Sequence, residues 1–190
     1  NSFYTMNLKQ YVVDSGPTEV TQTISLNAGW NLISFYVDLN NASPATVFAS
    51  LISSSNLLYV SKYDSGYTKY QPNVTRGNSL STMSSGFGYW VQTNNPDTIS
   101  VTGSTFNGPL QLNAGWNLTS YYLTDSLAPA TVFSPLISDS NLLYVSQYNN
   151  GYTKYQPNVT RGNSLSTMSS GFGYWVQTNN PVNDYYLSNS

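Results

Sequence analysis

Side chains able to perform acid–base or nucleophilic chemistry are scarce in this sequence. There is no histidine and no cysteine, and Glu19 is the only glutamate. The usual general base, the thiol nucleophile and the soft metal ligands are therefore missing. A glycosidase-type mechanism needs two carboxylates facing one cleft. Where the two copies of the internal repeat described below align cleanly, no aspartate of one copy is matched by an aspartate of the other. We therefore predict that the protein is not an enzyme, with no catalytic residue, no metal site and no cofactor.

Tyrosine is the aromatic residue that this chain offers in quantity, with 17 among 190 residues. Tyr67 and Tyr70 recur in the second copy as Tyr152 and Tyr155. A flat apolar ring with a hydroxyl suits both carbohydrate stacking and protein interfaces. These four tyrosines are therefore candidate ligand or interface residues. The alternative is an ordinary loop with solvated or carbonyl-capping cations, since Lys69 lies among them.

Four asparagines match the N-glycosylation pattern of Asn, any residue except Pro, then Ser or Thr. They are Asn41, Asn73, Asn117 and Asn158. Some matches are expected by chance in a chain so rich in Asn, Ser and Thr. Asn41 is the weakest candidate, because Pro44 directly follows its serine.

Charge is the unusual feature of the composition. Only 7% of the residues are charged, against roughly 25% in an ordinary soluble domain. The net charge of −2 leaves no basic footprint for nucleic acid or anionic membranes. No apolar run approaches the roughly 20 residues that span a bilayer. Such a weakly charged surface favours close association between molecules, so a second copy of the chain is the expected partner. Surface glycans are the partners expected under the alternative hypothesis that rests on the candidate tyrosines.

The elements that must position these residues come in two copies. The string Gly66–Pro96 returns letter for letter as Gly151–Pro181. Upstream, Leu26–Leu32 matches Leu112–Leu118. A fixed internal repeat indicates repeated structural units. We therefore divide the chain into a first module, residues 17–104, and a second module, residues 105–190, preceded by an N-terminal segment, residues 1–16.

Each module is predicted to be mostly β. Alternating and β-branched segments separated by Gly, Asn, Ser and Pro favour strands and tight turns, and Ser43 before Pro44 is typical of a helix start. The expected fold is two tandem small β-sandwich-like or barrel-like domains, each with one short helix, plus an N-terminal strand. The tryptophans Trp30, Trp90, Trp116 and Trp175 are interpreted as core anchors. In the first module the predicted elements are strands at Val20–Leu26, Trp30–Val37, Leu57–Tyr63, Tyr67–Tyr70, Tyr89–Gln92 and Thr98–Thr102 and a helix at Ala45–Ile52; the second ends with a strand at Asp184–Leu187.

Two motifs recur together in the modules. Leu26–Leu32 is followed by Gly86–Val91, and Leu112–Leu118 by Gly171–Val176. This combination resembles the tandem repeat modules of secreted and cell-surface proteins of bacteria and archaea. The resemblance implies an extracellular or cell-surface location and a structural module, and it brings no catalytic residues with it.

The N-terminal segment has the alternation of a strand. Tyr4, Met6, Leu8, Gln10 and Val12 fall on one mostly apolar face. The strand either folds back on its own module or completes the sheet of a neighbouring subunit by β-augmentation. Its end also loosely matches the last strand of a module, so it is alternatively the tail of a preceding repeat.

These observations lead to two functional hypotheses. The first is a structural subunit of an extracellular, pilus-like or thread-like filament, polymerised head to tail by the N-terminal segment, because a contact of that kind does not close. The analogy is with surface filaments built by strand donation. The alternative is a carbohydrate-binding or adhesive module pair that uses the candidate tyrosines.

Overall fold

The computed structural model describes residues 18–188. The N-terminal segment, with the face formed by Tyr4, Met6, Leu8, Gln10 and Val12, lies outside the described residues.

Strands dominate the first module, as the alternation of apolar and polar residues predicts. The pattern in the first strand is typical, because every second side chain from Gln22 to Leu26 is buried. The elements are β1 (Val20–Leu26), β2 (Gly29–Ser34), α1 (Pro44–Val47), α2 (Ala49–Ser53), β3 (Leu57–Tyr63), β4 (Tyr67–Tyr70), β5 (Gly88–Thr93) and β6 (Asp97–Gly103).

The second module repeats this order with the same lengths in most elements. It contains β7 (Leu110–Leu112), β8 (Gly115–Ser120), α3 (Pro129–Val132), α4 (Ser134–Ser138), β9 (Leu142–Tyr148), β10 (Tyr152–Tyr155), β11 (Gly173–Thr178) and β12 (Val182–Tyr185).

Each module combines a four-stranded sheet with a two-stranded sheet, and every pairing is antiparallel. The four-stranded sheets have the orders β2-β5-β3-β4 and β8-β11-β9-β10. The small sheets pair the first strand of a module with its last, β1 with β6 and β7 with β12. The predicted class, mostly β with two small sandwich-like units, is confirmed.

Two clusters of buried apolar side chains follow the two modules. The first includes Phe35, Phe48 and Tyr89, and the second includes Phe133 and Tyr174. In each case one face of the four-stranded sheet packs against the small sheet and the helices. Burial of these large side chains is the main favourable free-energy contribution to each module.

The helical region differs in detail from the prediction, because two short consecutive helices stand where one was expected. Ser43 caps α1 by accepting a hydrogen bond from the Thr46 N–H at 3.2 Å. Phe48 leaves helical geometry between α1 and α2. In the second module this break allows Pro135, which lies in the first turn of α4, where a proline needs no hydrogen-bond donor.

The small sheet of the second module is shorter than its counterpart. β1 and β6 form seven residue pairs, whereas β7 and β12 form two, with a register shift between Val182 and Tyr185. Asp184 has a φ of 55°, which interrupts regular pairing. The predicted last strand, Asp184–Leu187, therefore begins and ends two residues too late.

Among the described residues, no helix is long and apolar enough to cross a membrane.

Candidate ligand-binding cleft

The outer face of each four-stranded sheet carries aromatic side chains. Neighbouring residues on a strand point to opposite faces, so Tyr89 and Trp90 cannot both enter the core. Tyr89 is fully buried. Its hydroxyl donates to the Ser84 carbonyl oxygen at 2.8 Å and accepts from the Ser84 N–H at 2.7 Å. Trp90 is thereby directed to the outer face.

The prediction that the four tryptophans are core anchors is wrong, because none of them belongs to either core cluster. It fails most clearly for Trp30 and Trp116. They are 40% and 42% exposed, because the strand neighbour of each, an asparagine, is buried instead. Trp90 and Trp175 are half-buried. All four indoles line one cleft between the modules, with a volume of about 1150 Å³.

Six residues of each module line this cleft, and they occupy equivalent positions in the repeat. We call it the aromatic cleft. It is lined by Trp30, Tyr59, Ser61, Tyr63, Tyr67 and Trp90 of the first module and by Trp116, Tyr144, Ser146, Tyr148, Tyr152 and Trp175 of the second.

Ring contacts order the aromatic side chains within each half of the cleft. The indoles of Trp30 and Trp90 meet edge to face, with centroids 6.0 Å apart, and Trp30 also contacts Tyr59 at 5.6 Å. The corresponding distances around Trp116 are 6.1 and 5.5 Å. Such T-shaped pairs are favoured by the ring quadrupoles, so each half presents a fixed set of rings.

The two halves contact each other directly. Tyr63 of the first module packs on Trp175 of the second, with ring centroids 5.2 Å apart. Reciprocally, Trp90 packs on Tyr148 at 5.2 Å. The second contact is the first one with the two modules exchanged. The two halves are therefore related by an approximate two-fold axis, as in an isologous interface.

Backbone hydrogen bonds fix the two modules beneath the rings. The Ser34 N–H donates to the Gly171 carbonyl oxygen at 3.0 Å, and the Ser120 N–H donates to the Gly86 carbonyl oxygen at 3.0 Å. Leu32 and Leu118 are buried but belong to neither core cluster. The cleft is therefore built from two modules held in a set geometry.

Polar groups without internal partners face the aromatic cleft. Within residues 18–188, none of its six tyrosine hydroxyls makes an intramolecular hydrogen bond, in contrast to the buried Tyr89 and Tyr174. Gln92 lies between Trp30 and Tyr59 in the sheet register. Its side-chain amide has no partner in the described part of the chain, and the same holds for Gln177, but neither glutamine is among the residues that line the cleft. The phenol hydroxyls of the lining are thus available for a ligand.

The lining that the described residues give to the cleft carries no charge at ordinary pH. No acidic or basic residue is among its lining residues. Burial raises the pKa of Tyr67, and the neighbouring phenols of Tyr152 and Tyr63 raise it further. Burial likewise raises the pKa of Tyr152. Both phenols therefore stay neutral across the physiological range.

No protein-family model, no curated protein and no solved structure matches this chain.

The structure separates the four tyrosines predicted from the sequence. Tyr67 and Tyr152 lie in the aromatic cleft and are 63% and 65% exposed. Tyr70 and Tyr155 instead pack, half-buried, against the core clusters of their modules. Tyr59, Tyr63 and their counterparts Tyr144 and Tyr148 also line the cleft and were not predicted from the sequence as functional residues. The available signal was the alternation in β3, which puts Tyr59, Ser61 and Tyr63 on one face.

The four candidate glycosylation sites also differ in their surroundings. Asn73 and Asn158 are exposed, with φ near 60°. Asn41 is exposed, and its side-chain oxygen accepts from the Ser84 hydroxyl at 3.1 Å. Asn117 is buried and hydrogen-bonded, so the folded chain does not present it as an acceptor of a glycan.

The role of Asn117 is structural. Its side chain accepts from the Asn113 N–H at 2.7 Å and donates to the Asn113 carbonyl oxygen at 2.9 Å. Asn31, the equivalent residue, makes the same bonds to Asn27 at 2.8 and 2.9 Å. Asn31 is followed by Leu-Ile and is not part of a glycosylation pattern. The asparagine is therefore explained by the turn before β2 and β8.

Proposed function

We propose that this protein is a carbohydrate-binding module pair that binds a sugar ligand in the aromatic cleft. The observation that carries the proposal is the combination of exposed aromatic rings with phenol hydroxyls that have no partner among the described residues. Sugars have apolar faces that stack on flat rings and hydroxyls that need hydrogen-bond partners. A purely apolar ligand would leave the polar groups of the cleft unpaired, which costs binding free energy.

The cleft is suited to holding a ligand rather than converting it. Within the described part of the chain, Ser61 and Ser146 are the only hydroxyl-bearing aliphatic side chains that line it, and no acidic or basic side chain lines it with them. General acid–base catalysis needs such a group within hydrogen-bonding reach. We therefore propose a binding, adhesive role at a cell surface, in line with the location implied by the sequence resemblance.

Tryptophan fluorescence tests the proposal, because all four indoles lie at the cleft. Neutral polysaccharides and their oligosaccharides are titrated into the full chain, and binding is expected to change the emission. Trp30→Ala should weaken binding about thirtyfold, the loss that corresponds to ~2 kcal/mol for a central aromatic contact.

Tyr186→Ala is the matched control, because Tyr186 is a 59% exposed aromatic residue outside the cleft. It should bind as the wild type does. A wild-type chain that binds no member of a broad glycan array, or a Trp30→Ala variant that binds with unchanged affinity, contradicts the proposal.

A second proposal is the filament subunit polymerised by the N-terminal segment. One observation favours it: β1 and β6 pair only with each other among the described strands. Each therefore has an outer edge that can accept a further strand by β-augmentation. A variant lacking residues 1–14 should form no filaments in electron micrographs, whereas Tyr186→Ala should behave as the full chain does. Filaments formed equally by the truncated variant would exclude this role.

A further inference from the structure

The two halves of the aromatic cleft form one continuous surface. The contacts of Tyr63 with Trp175 and of Trp90 with Tyr148 join the rings of the first module to those of the second. The six lining residues of the first module and the six of the second line a single, undivided cleft. A ligand that stacks on one half therefore has its other end directed toward the second half.

Identical chemistry is presented at both ends of this surface. Every lining residue of one module has the same residue type at the equivalent position of the other. A compact ligand that reaches only one module would contact each kind of lining residue once. A polymer with a repeating unit can use each contact twice, and its second contact forms at a high effective concentration because the first has already been made.

The chemistry of the surface favours an uncharged polymer. The nearest ion pair, between Lys62 and Asp64 at 3.6 Å, is not part of the lining. Lys62 lies over the ring of Phe87, 4.0 Å from its centroid. It points to the opposite face of β3 from Tyr63, as its neighbour on the strand must.

Lys69 and Lys154 are paired with Ser61 and Ser146 in the sheet register, on the cleft side of the sheet, but neither is among the lining residues. The ammonium group of Lys154 donates to the side-chain oxygen of Gln156 at 3.5 Å. The described lining itself thus offers no cation to a sulfated or carboxylated sugar.

Symmetry also bears on the direction of the ligand. The reciprocal contacts place an approximate two-fold axis between the modules, and this axis exchanges them. It turns any chain that runs from the first module to the second into one that runs the opposite way. A directional polymer therefore meets the same residues in both directions.

Resting on the proposed function, we propose that the aromatic cleft binds a single uncharged, linear glycan chain that spans both modules and lies in either direction. The geometry is prepared for such a chain before it binds. The hydrogen bonds of Ser34 to Gly171 and of Ser120 to Gly86 hold the modules in place, so little ordering is needed.

Calorimetry of the full chain with cello-, chito- and manno-oligosaccharides of increasing length tests the stoichiometry. We expect one oligosaccharide per chain, an affinity that rises with length until both halves are occupied, and no dependence on salt. Trp30→Ala and Trp116→Ala should each lower the affinity about tenfold or more at unchanged stoichiometry, while Tyr186→Ala changes neither value.

Two oligosaccharides per chain, with either tryptophan variant leaving one site intact, would overturn the single-chain inference while the proposed carbohydrate function stands. Preference for a charged glycan, with affinity lost at high salt, would also overturn it. Binding of a proline-rich peptide with no glycan bound at all would overturn both the inference and the proposed function.

The direction is tested by nuclear magnetic resonance with a spin label on the reducing end of the oligosaccharide. Equal broadening of the indole N–H signals of Trp30 and Trp116 is the result expected for both directions. Broadening of only one of the two signals would show a single direction and overturn this part of the inference.

Discussion

Gly88 and Gly173 meet where the two modules cross. A Cβ atom on Gly173 would lie 3.3 Å from the Cα of Gly88 and 2.7 Å from the carbonyl oxygen of Ile33. These neighbours are backbone atoms, which cannot move aside as the end of a flexible side chain can. The absence of a side chain at both positions therefore sets how closely the modules approach and, with that, the width of the aromatic cleft.

Gly173→Ala should destabilise the contact between the modules. We expect the free energy of unfolding to fall by about 1–3 kcal/mol, because an added methyl group in a packed site forces the backbone to shift. Urea unfolding measures the change. Gly151→Ala is the matched control, since nothing lies within 4 Å of its added Cβ. Equal stability of the two variants would contradict the close approach of Gly88 and Gly173.

Ser34 and Ser120 occupy equivalent positions but have different hydrogen bonds. The Ser34 hydroxyl donates to the Phe172 carbonyl oxygen at 2.6 Å and accepts from the Tyr121 N–H at 3.1 Å. The buried Ser120 hydroxyl has no hydrogen-bond partner among residues 18–188. Ser34→Ala should therefore cost about 1–3 kcal/mol, whereas Ser120→Ala should be neutral or stabilising. The difference is measured by thermal and urea unfolding, and equal losses in the two variants would exclude the asymmetric bonding.

Alkaline pH should unfold the protein through its buried tyrosines. Burial raises the pKa of Tyr121 and of Tyr185 to about 12, and raises that of Tyr89 and Tyr174 still further. The pKa of a tyrosine in the unfolded chain is about 10. Below that pH both states keep the proton and the stability is complete. Above it the unfolded state releases protons first, so the stability falls as pH rises.

The measurement is the melting temperature followed by circular dichroism across pH. It should stay nearly constant from about pH 5 to about pH 9, because the chain has no histidine and few carboxylates. It should then decrease above about pH 10. A melting temperature that stays level through the alkaline range would contradict the burial of these phenols.

Asn117→Asp should destabilise the second module, because a carboxylate cannot donate to the carbonyl oxygens of Asn113 and Gly115. A loss of about 1–3 kcal/mol is expected. Asn158→Asp is the control, since Asn158 is exposed and its removal also deletes a glycosylation pattern.

In a glycosylating host, mass spectrometry of the folded protein should find no glycan on Asn117. A glycan at that position would contradict its buried hydrogen bonds.

Much of the fold is present in the sequence. The exact repeat determines that the two modules share one architecture, and the alternation in segments such as Val20–Leu26 and Leu57–Tyr63 correctly predicts strands with their observed bounds. Ser43 and Pro44 predict the helix start. These features depend on local periodicity, capping and turn chemistry, which a single chain segment already contains.

The tertiary structure alone decided where the aromatic residues point and what they form together. Alternation shows that Tyr89 and Trp90 face opposite sides, but it does not tell which side is the core. The choice depends on Ser84, which supplies partners for the buried Tyr89 hydroxyl. The cleft itself joins residues about 85 positions apart across an interface between modules, and no local sequence pattern shows that interface. The sequence by itself determined two copies of a weakly charged β module. Packing of one copy against the other brought their tryptophans into a single cleft. Only the tertiary structure decided this, because contacts between modules depend on shape in three dimensions rather than on local sequence pattern.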